Sequence, residues 1–112
     1  MAYQNIVGAK LAQATLGITV YAVIYRVPAD TRAYVKNIDV CNTTVGAITV
    51  DISLVPAGGT AGVTNALYFT QSIAAYGVLQ WRGLAIMNAA DTIQVRASAT
   101  GCAIYISGGE AT

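Results

Sequence analysis

The stretch Thr92-Ile93-Gln94-Val95-Arg96-Ala97-Ser98-Ala99-Thr100-Gly101-Cys102-Ala103-Ile104-Tyr105-Ile106-Ser107 decides the fold. Over 92–99, Ile93, Val95, Ala97 and Ala99 alternate with Thr92, Gln94, Arg96 and Ser98. Over 102–107, Cys102, Ile104 and Ile106 alternate with Ala103, Tyr105 and Ser107. Successive strand side chains point to opposite faces, so a period of two with one apolar side marks a half-buried antiparallel strand. Thr100-Gly101 between the two reads as a tight hairpin turn. Segment 47–54 repeats the pattern, with Ile48, Val50, Ile52 and Leu54 opposing Ala47, Thr49, Asp51 and Ser53.

Outward from these segments, turn signals come often. They fall at 27–31, 42–46, 56–62, 76–77, 88–91 and 108–109, and separate short runs rich in Val, Ile, Thr and Tyr. Segment 32–43 is β-like but carries polar residues on both faces, which predicts a bulge or a strand spanning two sheets. Segments 66–73 and 78–82 read as further strands, the second with Trp81 turned inward. In 19–27, Val20, Ala22 and Ile24 share one face and Tyr21, Val23 and Tyr25 the other. Both faces are apolar, so the strand should be covered on its outer side too. Residues 1–17 have neither period. The expectation is an all-β chain, a single antiparallel β-sandwich or jelly roll of seven to eight short strands. Residues 1–18 form an N-terminal arm or edge strand, and residues 19–112 the sandwich domain.

Composition points to association. Of the 112 residues, 55% are hydrophobic and 10% charged, against about 25% charged in an ordinary soluble domain. Some apolar surface should therefore meet a partner, unless Thr, Ser, Asn and Gln cover it. The net charge of +1 gives no long-range field toward nucleic acid or anionic lipid. The longest mostly apolar run, Ile18 to Tyr25, is too short for a membrane helix. No basic start leads into an apolar core, so no signal peptide is expected.

Chemistry is sparse. With no histidine, imidazole bases, Ser-His and Cys-His pairs and His-based metal sites are excluded. The carboxylates are Asp30, Asp39, Asp51, Asp91 and Glu110. Asp39 and Asp51 could face each other across strands around a calcium ion, but pairing with Lys36, Arg82 or Arg96 is the stronger reading. Cys41 and Cys102 have neither metal-ligand nor redox spacing and read as free thiols, with a disulfide left open. The loop Pro56 to Gly62 lacks a phosphate-binding ending. No catalytic residue, metal or cofactor is expected. Tyr21, Val23 and Tyr25 are the candidate interface, because aromatics are enriched there, and Gly58 and Gly59 join them as a loop able to dock on another protein.

The run Thr31-Arg32-Ala33-Tyr34-Val35-Lys36-Asn37-Ile38 follows Val27-Pro28-Ala29 and precedes Ser53-Leu54-Val55-Pro56-Ala57-Gly58-Gly59. With Leu79-Gln80-Trp81-Arg82-Gly83-Leu84 and Ala90 to Gly101, it resembles small bacteriophage virion proteins over roughly residues 23–109. The resemblance implies a small β-sandwich that coats a capsid or builds a tail, assembled in the host cytoplasm. The leading expectation is a capsid decoration or cement protein, a homo-oligomer for which a three-fold assembly is attractive. It would bind the major capsid protein or other virion proteins, and neither nucleic acid nor membrane. The alternatives are a tail, neck or baseplate component, or a carbohydrate-binding module for host-surface glycans.

Overall fold

Alternation produces strands where the sequence shows it, and the strands pair as one long antiparallel ribbon wrapped on itself. The computed structural model describes residue 3 and residues 5–16 and 20–112. Its elements are β1 (Ile6–Thr15), β2 (Ala22–Arg26), β3 (Arg32–Asn42), β4 (Ile48–Val55), a single 3₁₀ turn (Val63–Asn65), β5 (Ala66–Ile73), β6 (Val78–Met87), β7 (Thr92–Ala97) and β8 (Cys102–Ala111). One sheet has the order β1-β8-β3-β6, the other β2-β7-β4-β5. The ribbon pairs are β1 with β8, β2 with β7, β3 with β6 and β4 with β5. Wrapping adds β3 with β8 and β4 with β7. All are antiparallel, and this connectivity is the eight-stranded jelly roll. No described helix is long and apolar enough to cross a membrane.

The expected hairpin at Thr100-Gly101 does not form. β7 and β8 lie in different sheets, and the 98–101 connection carries the chain across the roughly 10 Å between packed sheets. Residues 6–15, which show no clean period, form an edge strand, and a register shift between Lys10 and Ala12 breaks their alternation. Residues 1, 2, 4 and 17–19 lie outside the described residues, so the 18/19 boundary does as well.

The core is the pair of inward faces. β3 contributes Val35, Ile38 and Val40, β8 Cys102, Ile104 and Ile106, β4 Val50 and Ile52, and β7 Ile93 and Val95, all essentially inaccessible. Each large aliphatic side chain buried this way contributes about 1.5–3 kcal/mol before chain entropy is counted. The mixed faces of 32–43 have a simple cause. A bulge between Val35 and Asn37 shifts the alternation by one, so Ile38 and Val40 point inward with Ala33 and Val35, while Lys36, Asn37 and Asp39 stay on the outer face. Gly108 lies opposite this bulge, and a methyl group there would land on the Tyr34 carbonyl oxygen. Only glycine permits that approach.

A buried polar side chain closes one end of the sandwich. Asn42, fully buried, donates through Nδ2 to the carbonyls of Gly46 (2.8 Å), Ile73 (3.1 Å) and Ala74 (3.2 Å). Its Oδ1 accepts from Thr44 N (2.9 Å) and Thr44 Oγ1 (2.7 Å). One amide thus ties the β3–β4 loop to the end of β5. Replacing it strands several buried partners, each costing about 1–3 kcal/mol if left unmet. Urea unfolding should therefore show Asn42→Ala destabilised by about 2–4 kcal/mol. Thr43→Ala, which removes an exposed hydroxyl from the same loop, should lose less than about 1 kcal/mol.

Candidate interaction surface

The five residues predicted as interface do not share a surface. A register shift between Val23 and Tyr25 makes Ile24 a bulge and turns Tyr25 inward. Tyr25 is 9% exposed and belongs to the core, whereas Val23 is 48% exposed on the outer face. The two-sided apolarity of 19–27 thus reflects the bulge, and Tyr25 is withdrawn from the interface set. Its hydroxyl donates to Glu110 Oε2. Burial first, then the Glu110 hydrogen bond and charge, hold the Tyr25 phenol well above its ordinary value.

Tyr21 is occupied within its own sheet. The Arg96 guanidinium sits 4.4 Å from its ring centroid, and Arg96 Nε donates to Asp51 Oδ2 at 2.8 Å. The Asp51 hydrogen bond is the main reason the Arg96 guanidinium is held above its ordinary value. Gly58 and Gly59 are exposed in a β-turn in which Gly59 N donates to the Pro56 carbonyl at 2.8 Å. Gly58 has φ 76°, the conformation glycine adopts at the third position of a type II turn. Asp91 accepts from Ala57 N and Asn88 N, both at 2.9 Å, and fastens this turn to the β6–β7 turn.

Asp39 and Asp51 do not face each other. They lie on the outer faces of opposite sheets, Asp39 beside Arg82 (4.0 Å) and Asp51 beside Arg96. Among the described residues, no three His, Cys, Asp or Glu side chains gather where they could hold a metal ion. Both cysteines are free. Cys102 is opposite Asn42 and Cys41 opposite Ala103, so the thiols occupy adjacent strands but opposite faces. Trp81 packs against the core from edge strand β6, half-buried.

The outer face of the first sheet carries a feature that the sequence reading missed. A groove of about 360 Å³ is lined by Ile6, Gly8, Tyr34, Lys36, Leu84, Gly108 and Gly109. The glycines of β1 and β8 leave a bare backbone floor, and Tyr34, Leu84 and Ile6 form its walls. Ile86 is registered with Tyr34 at the groove's side. In the sequence, the only trace of it is the pairing of glycines in β8 with a distant glycine in β1, which needs the register to be seen.

No family model matches the chain, and no curated protein matches it. Among solved structures, the chain is similar to a chain in "Structure of infectious bursal disease virus Gx strain". The match has a TM-score of 0.52 and 12% identity, and covers 96% of this chain and 32% of that one. The chain thus spans about a third of that chain's length, and the likeness is one of fold.

The Tyr25–Glu110 contact has a pH signature. The unfolded phenol ionises near pH 10, while the folded one resists, so the contribution is fully present below that pH and is lost as pH rises above it. Thermal unfolding between about pH 9 and 11.5 should show wild type losing stability more steeply than Tyr25→Phe. Equal slopes would mean that the phenol is not held protonated by its surroundings.

Proposed function

We propose that this chain is a virion structural protein, a capsid decoration or cement protein that self-associates and binds the capsid surface. The observation that carries the reading is its surface. A jelly roll with 10% charged residues leaves large hydrophobic side chains open on its edge strands, among them Ile6, Val7, Leu84 and Ile86. Exposed apolar patches of that kind belong to surfaces that meet other proteins. The sequence resemblance to small phage virion proteins supports the reading, as does a fold likeness to a chain from a virus structure. Four of the five carboxylates, Asp39, Asp51, Asp91 and Glu110, bridge strands or turns, and Asp30 lies exposed in the turn before β3. In this reading the chain has no catalytic role.

Purified particles of the virus that encodes the chain provide the test. Quantitative mass spectrometry should find it in many copies per particle, and electron microscopy should place it on the outside of the capsid. Density in the tail, neck or baseplate would move the address while keeping the structural role. Absence from particles, together with binding on a glycan array, would replace the proposal with a carbohydrate-binding module.

A further inference from the structure

The fold gathers the least charged part of the chain on one flank. From Ile52 to Ala90 the only charged residue is Arg82. That span supplies β5 and β6, each the last strand of its sheet, joined by the 74–77 turn that Asn42 pins. Twelve large hydrophobic side chains are exposed among the described residues, and six of them (Val63, Phe69, Tyr76, Val78, Leu84 and Ile86) fall within this span. Val78, Leu84 and Ile86 are 54%, 57% and 58% exposed on β6. Leu84 also forms a wall of the outer-face groove, so the β6 edge and the groove make one continuous surface, apolar except for Lys36 and Arg82.

An open strand edge is a template for pairing, and proteins that keep edges single protect them with charge, bulges or short length. Here β2 has five residues and a bulge. β1 carries Lys10 beside a bulge, and β5 breaks register around Thr70, at φ 51°. β6 also breaks register at Gly83–Leu84, but it runs ten residues with one charge, and Arg82 is engaged by Asn37 and Asp39 of its own sheet. Length and lack of charge, not regularity, set this edge apart.

We propose that the β6 edge and the adjoining groove seat the same surface of a second copy of this chain; this rests on the self-association reading above. Charge selects the occupant. In an isologous contact a patch meets itself. The charges here are Lys36 at the groove and Arg82, which lies beside Asp39, so the rest of the patch is apolar and asks no opposite charge of its partner. Size agrees. Ten strand residues span roughly 33 Å, and two sheets about 10 Å apart with their side chains give a width of about 20 Å. The flank is then on the order of 650 Å² per copy, close to the ~800 Å² of a standard interface once the groove is added.

Sedimentation velocity on the full chain, from micromolar to tenths of millimolar, tests this. Wild type should assemble. Ile86→Glu and Leu84→Glu should weaken assembly about 100-fold or more with unchanged circular dichroism, while Val23→Glu on β2 should assemble like wild type. Should the charged variants lose their β spectrum, Ile86→Thr provides the milder test of the same contact. Wild type that stays monomeric throughout and does not bind particles would overturn the self-association reading. An assembly indifferent to Ile86 and Leu84 would overturn the placement alone and leave that reading standing. Monomeric wild type that binds capsids through Ile86 would give the surface to the capsid protein and overturn the second copy as occupant.

Discussion

Strand β8 is hydrogen-bonded on both sides, to β1 and to β3, and its inward residues Cys102, Ile104 and Ile106 line the core. Its register is the constraint from which the rest follows. A slip of one residue would turn these side chains to solvent and bring Ala103, Tyr105 and Ser107 inside. The register is fixed by an exception to regular pairing, the β3 bulge at Lys36 facing Gly108, where the backbones approach too closely for any side chain. Once β8 is set against β3, the ribbon pairs on either side have one way to close, and the two sheets stack with their aliphatic faces together.

This arrangement explains which parts of the fold are legible in the sequence. The alternation of 48–52, 93–97 and 102–106 shows directly which side chains are buried, because burial on one face imposes it. It fails at Ser53 and Thr92, which read as outward but are buried, and at Leu54, which reads as inward but is only partly buried, with β4 breaking register between Ile52 and Ser53. Alternation says nothing about which strand lies alongside, and that is why Thr100-Gly101 reads as a hairpin while the chain in fact crosses between sheets. Bulges are visible only as damaged patterns. At 32–43 the damage is recognisable, because polar residues appear on both faces. At 19–27 an apolar residue sits on either side of the shift, so the same event looks like a strand covered twice, and Tyr25 is read onto the wrong face. Asn42 gives no sequence signal, since an asparagine at a strand end is ordinary turn chemistry; its role comes from carbonyls far along the chain.

The proposed interaction surface follows the same logic. The charge gap from Ile52 to Ala90, broken only by Arg82, is present in the sequence, but only the jelly-roll order brings its two strands to one flank and leaves each with one open edge among the described residues. The residues that first suggest an interface, Tyr21 and Tyr25, are aromatic but spoken for, one under Arg96 and the other bonded to Glu110. Val78, Leu84 and Ile86 are less conspicuous, and none of the described residues covers them. The proposed structural role needs no cluster of reactive groups, and Asp51, Asp91, Arg96 and Glu110 keep loops and sheets in place.

Hydrogen–deuterium exchange followed strand by strand, on wild-type protein at low and high concentration, puts the central claim to the most direct test. An edge strand that becomes paired or covered gains protection on its outward amides. Self-association through this surface predicts slower exchange in Val78–Met87 at high concentration, with β2 unchanged. Equal exchange of β6 at both concentrations, or protection that appears at β2 instead, would contradict it.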